Sequence, residues 1–310
     1  MFNYILKRLL QMIPTLIGVS LLSFVILQLV PGDPAELIAG MDASPEEVQI
    51  IRERLGTDKP LYEQYVQYNL QLLKGDLGTS MRSDNPVLQE ILERFPNTVI
   101  LTLLATLVTV VIGLFTGVIA ATKPGSARDH ASMAFSLFGI SMPVFWLGII
   151  LILVFAYYIP ILPSGGSSEF KHFILPALVL GISSAAVLAR LTRSSILEVI
   201  NQDYIRTAKA KGVREWLIIY KHALKNAFVP IITVIGMEIG NLLGGAVLTE
   251  TVFSMNGLGR YIIQSIQFRD YSAVQGSILF VALIFVIINL LVDLCYAAVD
   301  PRIRYDRKEA

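Results

Sequence analysis

One cysteine and three histidines are all the thiol and imidazole groups this chain of 310 residues offers to a metal. Cys295 lies in an apolar run with no second cysteine, so no intrachain disulfide forms, and its expected role is that of a buried, inert thiol. His130, His172 and His222 fall in three separate connections, the second on the opposite side of a membrane from the others in the topology derived below, which excludes a metal centre built from them. No Gly-x-x-x-x-Gly-Lys-Ser/Thr stretch occurs, so the chain carries no loop of that kind to cradle nucleotide phosphates. Gly257-Leu258-Gly259-Arg260 has a superficial likeness to such a loop, but no strand precedes it. The Gly-x-Ser-x-Gly elbow and the His-Glu-x-x-His helix are missing too, which removes two routes to a hydrolase. No nucleophile, base or metal cluster assembles near an apolar segment, as a membrane enzyme requires.

Charge is the other scarcity. Only 16% of residues are charged while 54% are hydrophobic, and the mean hydropathy is +0.63, more apolar surface than a soluble domain of this length buries. The net charge of +1 conceals a segregation of sign along the chain, and nothing supports nucleic acid as a partner.

A membrane span needs about 20 apolar residues at 1.5 Å rise each. Six stretches qualify: Leu9 to Val30, Thr98 to Ala121, Ser132 to Tyr158, Phe173 to Leu191, Phe228 to Leu248 and Val274 to Val299. The first is too long for a secretory signal and is followed by Pro31-Gly32-Asp33-Pro34 instead of small residues, so it reads as an uncleaved anchor. Six spans put both termini on one side. Lys and Arg number 16 on that side and 9 on the other, of which 6 belong to the long first loop; by the positive-inside rule both termini are cytoplasmic.

Two connections are too long to be mere linkers. Residues 31–97, an extracytoplasmic helical loop in this topology, hold 12 acidic and 6 basic residues. Ser44-Pro45-Glu46-Glu47 offers an N-cap, a first-turn proline and carboxylates matched to the helix dipole, and Val48, Ile51 and Leu55 follow at helical spacing. A second amphipathic run covers Pro60 to Leu73, and a third, Pro86 to Phe95, leads into the second span. The loop is a folded cap, serving either as a passive lid or as a contact for a partner. Residues 192–227 form the cytoplasmic counterpart. Helical spacing runs to a break at Gly212, then an amphipathic run from Glu215 to Phe228 follows. With eight cations between Arg190 and Lys225, this segment suits a docking element or, alternatively, a basic amphipathic hairpin on lipid.

Polar groups inside spans need a protein or water-filled neighbourhood, which singles out Glu238, Asn241, Asn289 and Asp293. Glu238 sits beside Gly236, Gly240 and Gly244, a stripe spaced for close helix packing like Gly113 and Gly117 on the second span. Glu238 and Asn241 therefore line a polar translocation path or, alternatively, Glu238 is a hydrogen-bonded structural carboxylate. Asp293 reads as structural.

The segment Asp203-Tyr204-Ile205-Arg206-Thr207-Ala208-Lys209-Ala210-Lys211-Gly212, followed by His222-Ala223-Leu224-Lys225-Asn226-Ala227 and Pro230, resembles the cytoplasmic Glu-Ala-Ala loop of ABC importer permeases, in the version of the dipeptide, oligopeptide and nickel branch. Further matches in order are Pro31-Gly32-Asp33-Pro34, Leu55-Gly56 with Asp58-Lys59-Pro60-Leu61-Tyr62, Gly75-Asp76-Leu77-Gly78, Ile140-Ser141-Met142-Pro143, Gly257-Leu258-Gly259-Arg260, Arg269-Asp270-Tyr271 and Asp300-Pro301-Arg302. Arg206-Thr207-Ala208 stands where the general motif reads Glu-Ala-Ala, so a salt bridge through the first position has reversed sign. Asn256 and Ser272 replace expected prolines, which predicts a more flexible connection between the fifth and sixth spans.

The resemblance implies an all-α integral membrane protein with the type I ABC importer permease fold, the first of two permease subunits, in the cytoplasmic (inner) membrane of a bacterium or archaeon. It implies a homologous second permease, two cytoplasmic ATPase subunits and an extracytoplasmic substrate-binding protein as partners, besides membrane lipid. No cofactor is expected in this chain; ATP and Mg would be bound by the ATPases. Tyr204, Arg206, Thr207, Ala208, Lys209, Ala210, Lys211 and Gly212 become the helix that couples to an ATPase. The implied cargo is a dipeptide or short oligopeptide, with glutathione or nickel on the same architecture as alternatives; nickel would favour His and Cys, which are scarce. A stand-alone secondary transporter would show paired intramembrane charges or broken helices in inverted repeats, and the sequence shows neither clearly.

Overall fold

The computed structural model describes residues 2–29, 33–40 and 43–299, and among them it contains helices and one isolated bridge between Thr79 and Pro86. Pro31-Gly32, Asp300-Pro301-Arg302 and the side chain of Cys295 lie outside what is described. In lipid every backbone polar group must be satisfied within the segment, and helices meet that demand in sequence order. The helices are α1 (Phe2–Gln28), α2 (Pro34–Ala39), α3 (Pro45–Leu55), α4 (Leu61–Leu73), α5 (Val87–Thr122), α6 (Ala127–Ser141) and α7 (Val144–Ile152), which a π-turn extends to Tyr158. Then follow α8 (Lys171–Ile200), α9 (Asp203–Ala210), α10 (Glu215–Leu217), a second π-turn, α11 (Leu224–Val252), α12 (Leu258–Gln267) and α13 (Tyr271–Val299). Among the described residues five helical stretches are long and apolar enough to cross a membrane, and α6 with α7 makes a sixth if that bent pair counts as one span.

The expected third span, Ser132 to Tyr158, is not a continuous helix. It bends by 101° between Ser141 and Val144. Pro143 lacks an N–H and disfavours helical backbone at the residue before it, and Met142 is accordingly extended at φ −78°, ψ 129°. A broken helix is thus present where the sequence showed none clearly. The amphipathic run from Glu215 also differs from expectation: it is not a separate element but the start of one long stretch, Glu215–Val252. Likewise α8 runs unbroken to Ile200, so residues 192–200 belong to the same helix as the fourth span.

One compact unit comprises residues up to Phe95 with Tyr261–Val286. Here α3 begins as its sequence promised. Ser44 Oγ accepts from the Glu47 N–H, and the Ser44 N–H donates to the Glu47 carboxylate at 2.8 Å, closing a capping box. Arg52 Nε donates to Asp33 at 3.0 Å, tying α3 to the start of α2. Tyr65 of α4 meets Phe24 edge-on and hydrogen-bonds to Ser20 at 2.9 Å, which holds α4 against α1. Gly276 on α13 admits Val87 and Leu77, and Ser80 donates to Asp270 at 2.5 Å.

The second unit comprises Pro96–Arg260 with the part of α13 from Ile287 to Val299. Its core joins α5, α7, α8 and α11 through Leu101, Leu175, Leu180, Leu242, Ala246 and Phe253, and a second cluster gathers Val118, Leu188, Ile196, Ala223, Ala227 and Ile231. Gly113 and Gly117 do bring α5 onto α8: a methyl group at Gly117 would lie 2.6 Å from the Ala189 carbonyl. The stripe on α11 behaves differently. Gly236 and Gly240 are buried, whereas nothing lies within 4 Å of a methyl group placed at Gly244.

Candidate coupling site

The stretch from Tyr204 to Gly212 folds into a short helix and its terminator. Asp203 in the first turn of α9 and Lys209 in the last both suit the helix dipole. The end is a Schellman arrangement: the Gly212 N–H donates to the Lys209 carbonyl at 3.0 Å and the Val213 N–H to the Ala208 carbonyl at 3.2 Å. Gly212 sits at φ +75°, a left-handed conformation that side chains resist, and open space surrounds it.

Two contacts fix the helix to the rest of the unit. Ile205 is completely buried. Tyr204 Oη accepts from Asn226 Nδ2 at 2.9 Å, reaching the start of α11. The remaining residues, Arg206, Thr207, Lys209, Ala210, Lys211 and Gly212, are exposed, with Ala208 half-buried. The helix is therefore anchored by one face and presents cations on the other. Arg206 pairs with Asp203 at 3.7 Å, but both side chains are well solvated, so the pair fixes little and the guanidinium remains accessible. The anchor leads into the π-turn at Ile218–Ala223, a local widening of the helix that is frequent at functional sites.

Glu238 and Asn241 sit one turn apart on α11. Glu238 is buried and Asn241 exposed, with Asn241 Nδ2 and Glu238 Oε1 separated by 3.4 Å. Among the described residues no group of three or more His, Cys, Asp or Glu side chains converges as metal ligands do.

Two polar clusters escaped the sequence reading. Glu250, near the end of α11, is fully buried: Oε1 accepts from Thr98 Oγ1 at 2.6 Å and Oε2 from the Arg260 N–H at 3.0 Å. Thr98 Oγ1 in turn accepts from the Leu258 N–H at 2.9 Å. Gly257 and Gly259 are the residues that allow this approach, since a methyl group at Gly257 would lie 2.3–2.4 Å from the Glu250 carboxylate. The Gly-Leu-Gly-Arg stretch is thus a cradle for a carboxylate of its own chain. The connection is also pinned at Asn256, whose carbonyl accepts from Asn97 at 2.7 Å and whose N–H donates to Ser167 at 3.2 Å; loss of a proline there has not left it untethered. In the second cluster Asp129, also buried, accepts from Arg193 Nε at 2.6 Å and Nη2 at 2.7 Å, and from the Gly125 N–H at 2.9 Å. A charge-assisted fork of this kind locks the turn before α6 to α8.

Comparison with known proteins decides the family. Residues 113–305 match the profile described as binding-protein-dependent transport system inner membrane component, and residues 1–102 match the N-terminal profile of the same systems. The chain belongs to that family. It is 45% identical over 333 residues to the dipeptide transport system permease protein DppB of Alkalihalophilus pseudofirmus, covering 98% of this chain and all of that one. It is 46% identical over 305 residues to the glutathione transport system permease protein GsiC of Escherichia coli K12, with the same coverage. Among solved structures, a chain of the MetNI methionine ABC transporter in an inward facing conformation superimposes with a TM-score of 0.59 over 68% of this chain and 97% of its own, at 21% identity. The fold is therefore that of ABC importer permeases, and the chain is a membrane-embedded permease of the inner membrane.

Proposed function

We propose that this permease is one of two membrane-spanning subunits of an ATP-driven importer for dipeptides or short oligopeptides. The observation that carries the reading is full-length similarity, 45% over 98% of the chain, to a dipeptide permease. Glutathione, itself a tripeptide, is the second reading, favoured by 46% identity to a glutathione permease. In this reading both termini and residues 192–227 are cytoplasmic, and residues 31–97 face the outside, where a substrate-binding protein delivers cargo. A homologous permease completes the pore. Two cytoplasmic ATPase subunits hold ATP and Mg, and this chain holds no cofactor.

The exposed face of α9, from Arg206 to Gly212, docks in one ATPase. Its cations meet an acidic rim. Because Ile205 and Tyr204 fasten α9 to the unit, a displacement of the ATPase is passed to α11 as a rigid-body movement. ATP-driven closure of the ATPase pair then shifts the permease pair between inward-open and outward-open arrangements. Glu238 and Asn241 line the path in this scheme.

Affinity purification of the tagged chain in mild detergent, with mass spectrometry of what accompanies it, is the first test. A second permease and ATPase subunits are expected. The recovered complex in proteoliposomes should take up radiolabelled dialanine or glutathione in proportion to ATP hydrolysed. Transport by the chain alone, without ATPases, would overturn the reading.

A further inference from the structure

Helix α4 has no fully buried residue, although hydrogen bonds hold it along α1, a helix of span length. Gln28 Nε2 donates to Gln64 at 3.2 Å, Tyr65 shares a hydrogen bond with Ser20 at 2.9 Å, and Ser20 Oγ lies 3.4 Å from Asn69 Oδ1. The register is antiparallel: as α4 advances from Gln64 to Asn69, its partners retreat from the end of α1 into the candidate span Arg8–Gln28. Ser20 lies eight residues before Gln28, about 12 Å along the helix. A second depth marker comes from α13. Leu77, just beyond α4, packs at Gly276, where an added methyl group would lie 3.2 Å from Leu77 Cβ. Gly276 is five residues inside the candidate span Tyr271–Leu294, roughly 8 Å from its start. The hydrocarbon layer is about 30 Å thick, so the later turns of α4 stand beside it and not above it.

The composition of α4 matches that depth. No charged residue occurs from Gln64 to Leu73, while Asp58, Lys59 and Glu63 precede the stretch and Lys74 and Asp76 follow it. Tyr62, Val66, Leu70 and Leu73 recur at spacings of three and four residues and form one stripe, and all are exposed, Leu73 to 85%. Glu63, Gln67 and Gln71 occupy the face beside it, which makes the helix amphipathic. In the turns of α1 that hold α4, Leu21, Leu22 and Val25 are exposed as well, so the stripe adjoins the uncovered side of a span. Four side chains fall short of the roughly 800 Å² that each partner brings to a stable protein interface. Acyl chains satisfy such a stripe over the 5–10 Å that interfacial helices typically sink, and Tyr62 at the shallow end suits the headgroup layer.

We propose that α4 is an interfacial helix whose stripe of Tyr62, Val66, Leu70 and Leu73 is seated in phospholipid, in the leaflet at the C-terminal end of α1. The connection between α1 and α5 is then moored to the bilayer instead of standing clear of it as a solvated cap. The inference uses the register against the spans alone and holds for either cargo.

The test attaches a bimane fluorophore to Val66→Cys, Leu70→Cys or Gln67→Cys, each in a Cys295→Ser background. Both the full chain and the purified importer complex are studied in phosphatidylcholine nanodiscs. Lipid with a doxyl spin label at acyl carbon 5 should quench the probes at 66 and 70 at least threefold more than the probe at 67, and aqueous iodide should give the reverse order. Equal quenching at all three positions by either agent would overturn the seat. Lipid quenching seen in the chain alone but lost in the complex would assign the stripe to a protein partner and overturn it too. Where no second permease copurifies, the chain alone decides. If the labelled variants aggregate, hydroxyl-radical footprinting of the unlabelled wild type replaces them. Leu70 and Leu73 should then be modified at least fivefold less than Leu61, which is as exposed as Leu70 but lies off the stripe; equal modification would overturn the proposal.

Discussion

Gly257→Ala places a methyl group where the Glu250 carboxylate now sits, 2.3 Å from its carboxyl carbon and 2.4 Å from both oxygens. Such distances are not tolerated, so the carboxylate or the α12 connection must move. Overpacking a filled interior costs ~1–3 kcal/mol. Displacing Glu250 from Thr98 and from the Arg260 N–H leaves buried polar groups unsatisfied, at a further ~1–3 kcal/mol. A total of about 3 kcal/mol is expected, which lowers the melting temperature of a chain this size by roughly 5–10 °C. The assay is thermal unfolding of the purified chain in detergent, followed by a double-mutant cycle. Glu250→Ala removes the atoms that the new methyl group meets, so adding Gly257→Ala in that background should cost less than about 1 kcal/mol. If Gly257→Ala melts with the wild type, or costs as much in the Glu250→Ala background as alone, the cradle does not exist as described.

Other sites give further expectations. Asp129→Ala strands Arg193 beside an empty buried position and should destabilise the chain by about 3 kcal/mol, since breaking a buried pair costs ~3–5 kcal/mol and Arg193 is partly solvated; unaltered thermal unfolding would refute the lock. Gly212→Asp strains the left-handed terminator of α9 and should uncouple ATP hydrolysis from uptake with normal membrane insertion; normal uptake by a well-expressed variant would count against the coupling role. Glu238→Leu should impair uptake without loss of complex assembly, whereas failed assembly would assign Glu238 a structural role. At Asp33 burial pushes the carboxyl upward, but Arg52 and the Ala35 N–H outweigh it and hold its pKa below the ordinary value. A lowered folded pKa contributes stability above the unfolded value of roughly 3.9 that disappears as pH falls through the folded one. Hydrogen-exchange protection of residues 34–55, relative to the intrinsic rate at each pH, should therefore fall in acid below about pH 4, and Asp33→Asn should abolish that pH dependence.

The sequence by itself determined where the membrane-spanning helices lie, though not the break in the third, because apolar runs of span length have one way to satisfy their backbone in lipid. It also determined the start of α3, since Ser44, Pro45 and Glu47 act within one turn of each other, and the end of α9, since Gly212 terminates a helix whatever surrounds it. The ordered motifs around α9 were enough to indicate the family. Prolines show where such local reading stops. Pro14, Pro96, Pro176 and Pro230 all remain inside continuous helices, while Pro143 marks a bend of 101°. Each lacks the same N–H, and whether the helix continues is settled by what neighbouring elements offer to the freed carbonyls. Only the tertiary structure brought Glu250 and Leu258 to Thr98, and Arg193 to Asp129, over separations of 152, 160 and 64 residues. A buried carboxylate and a surface one look alike in sequence; the difference lies in the partners that desolvation obliges the fold to supply.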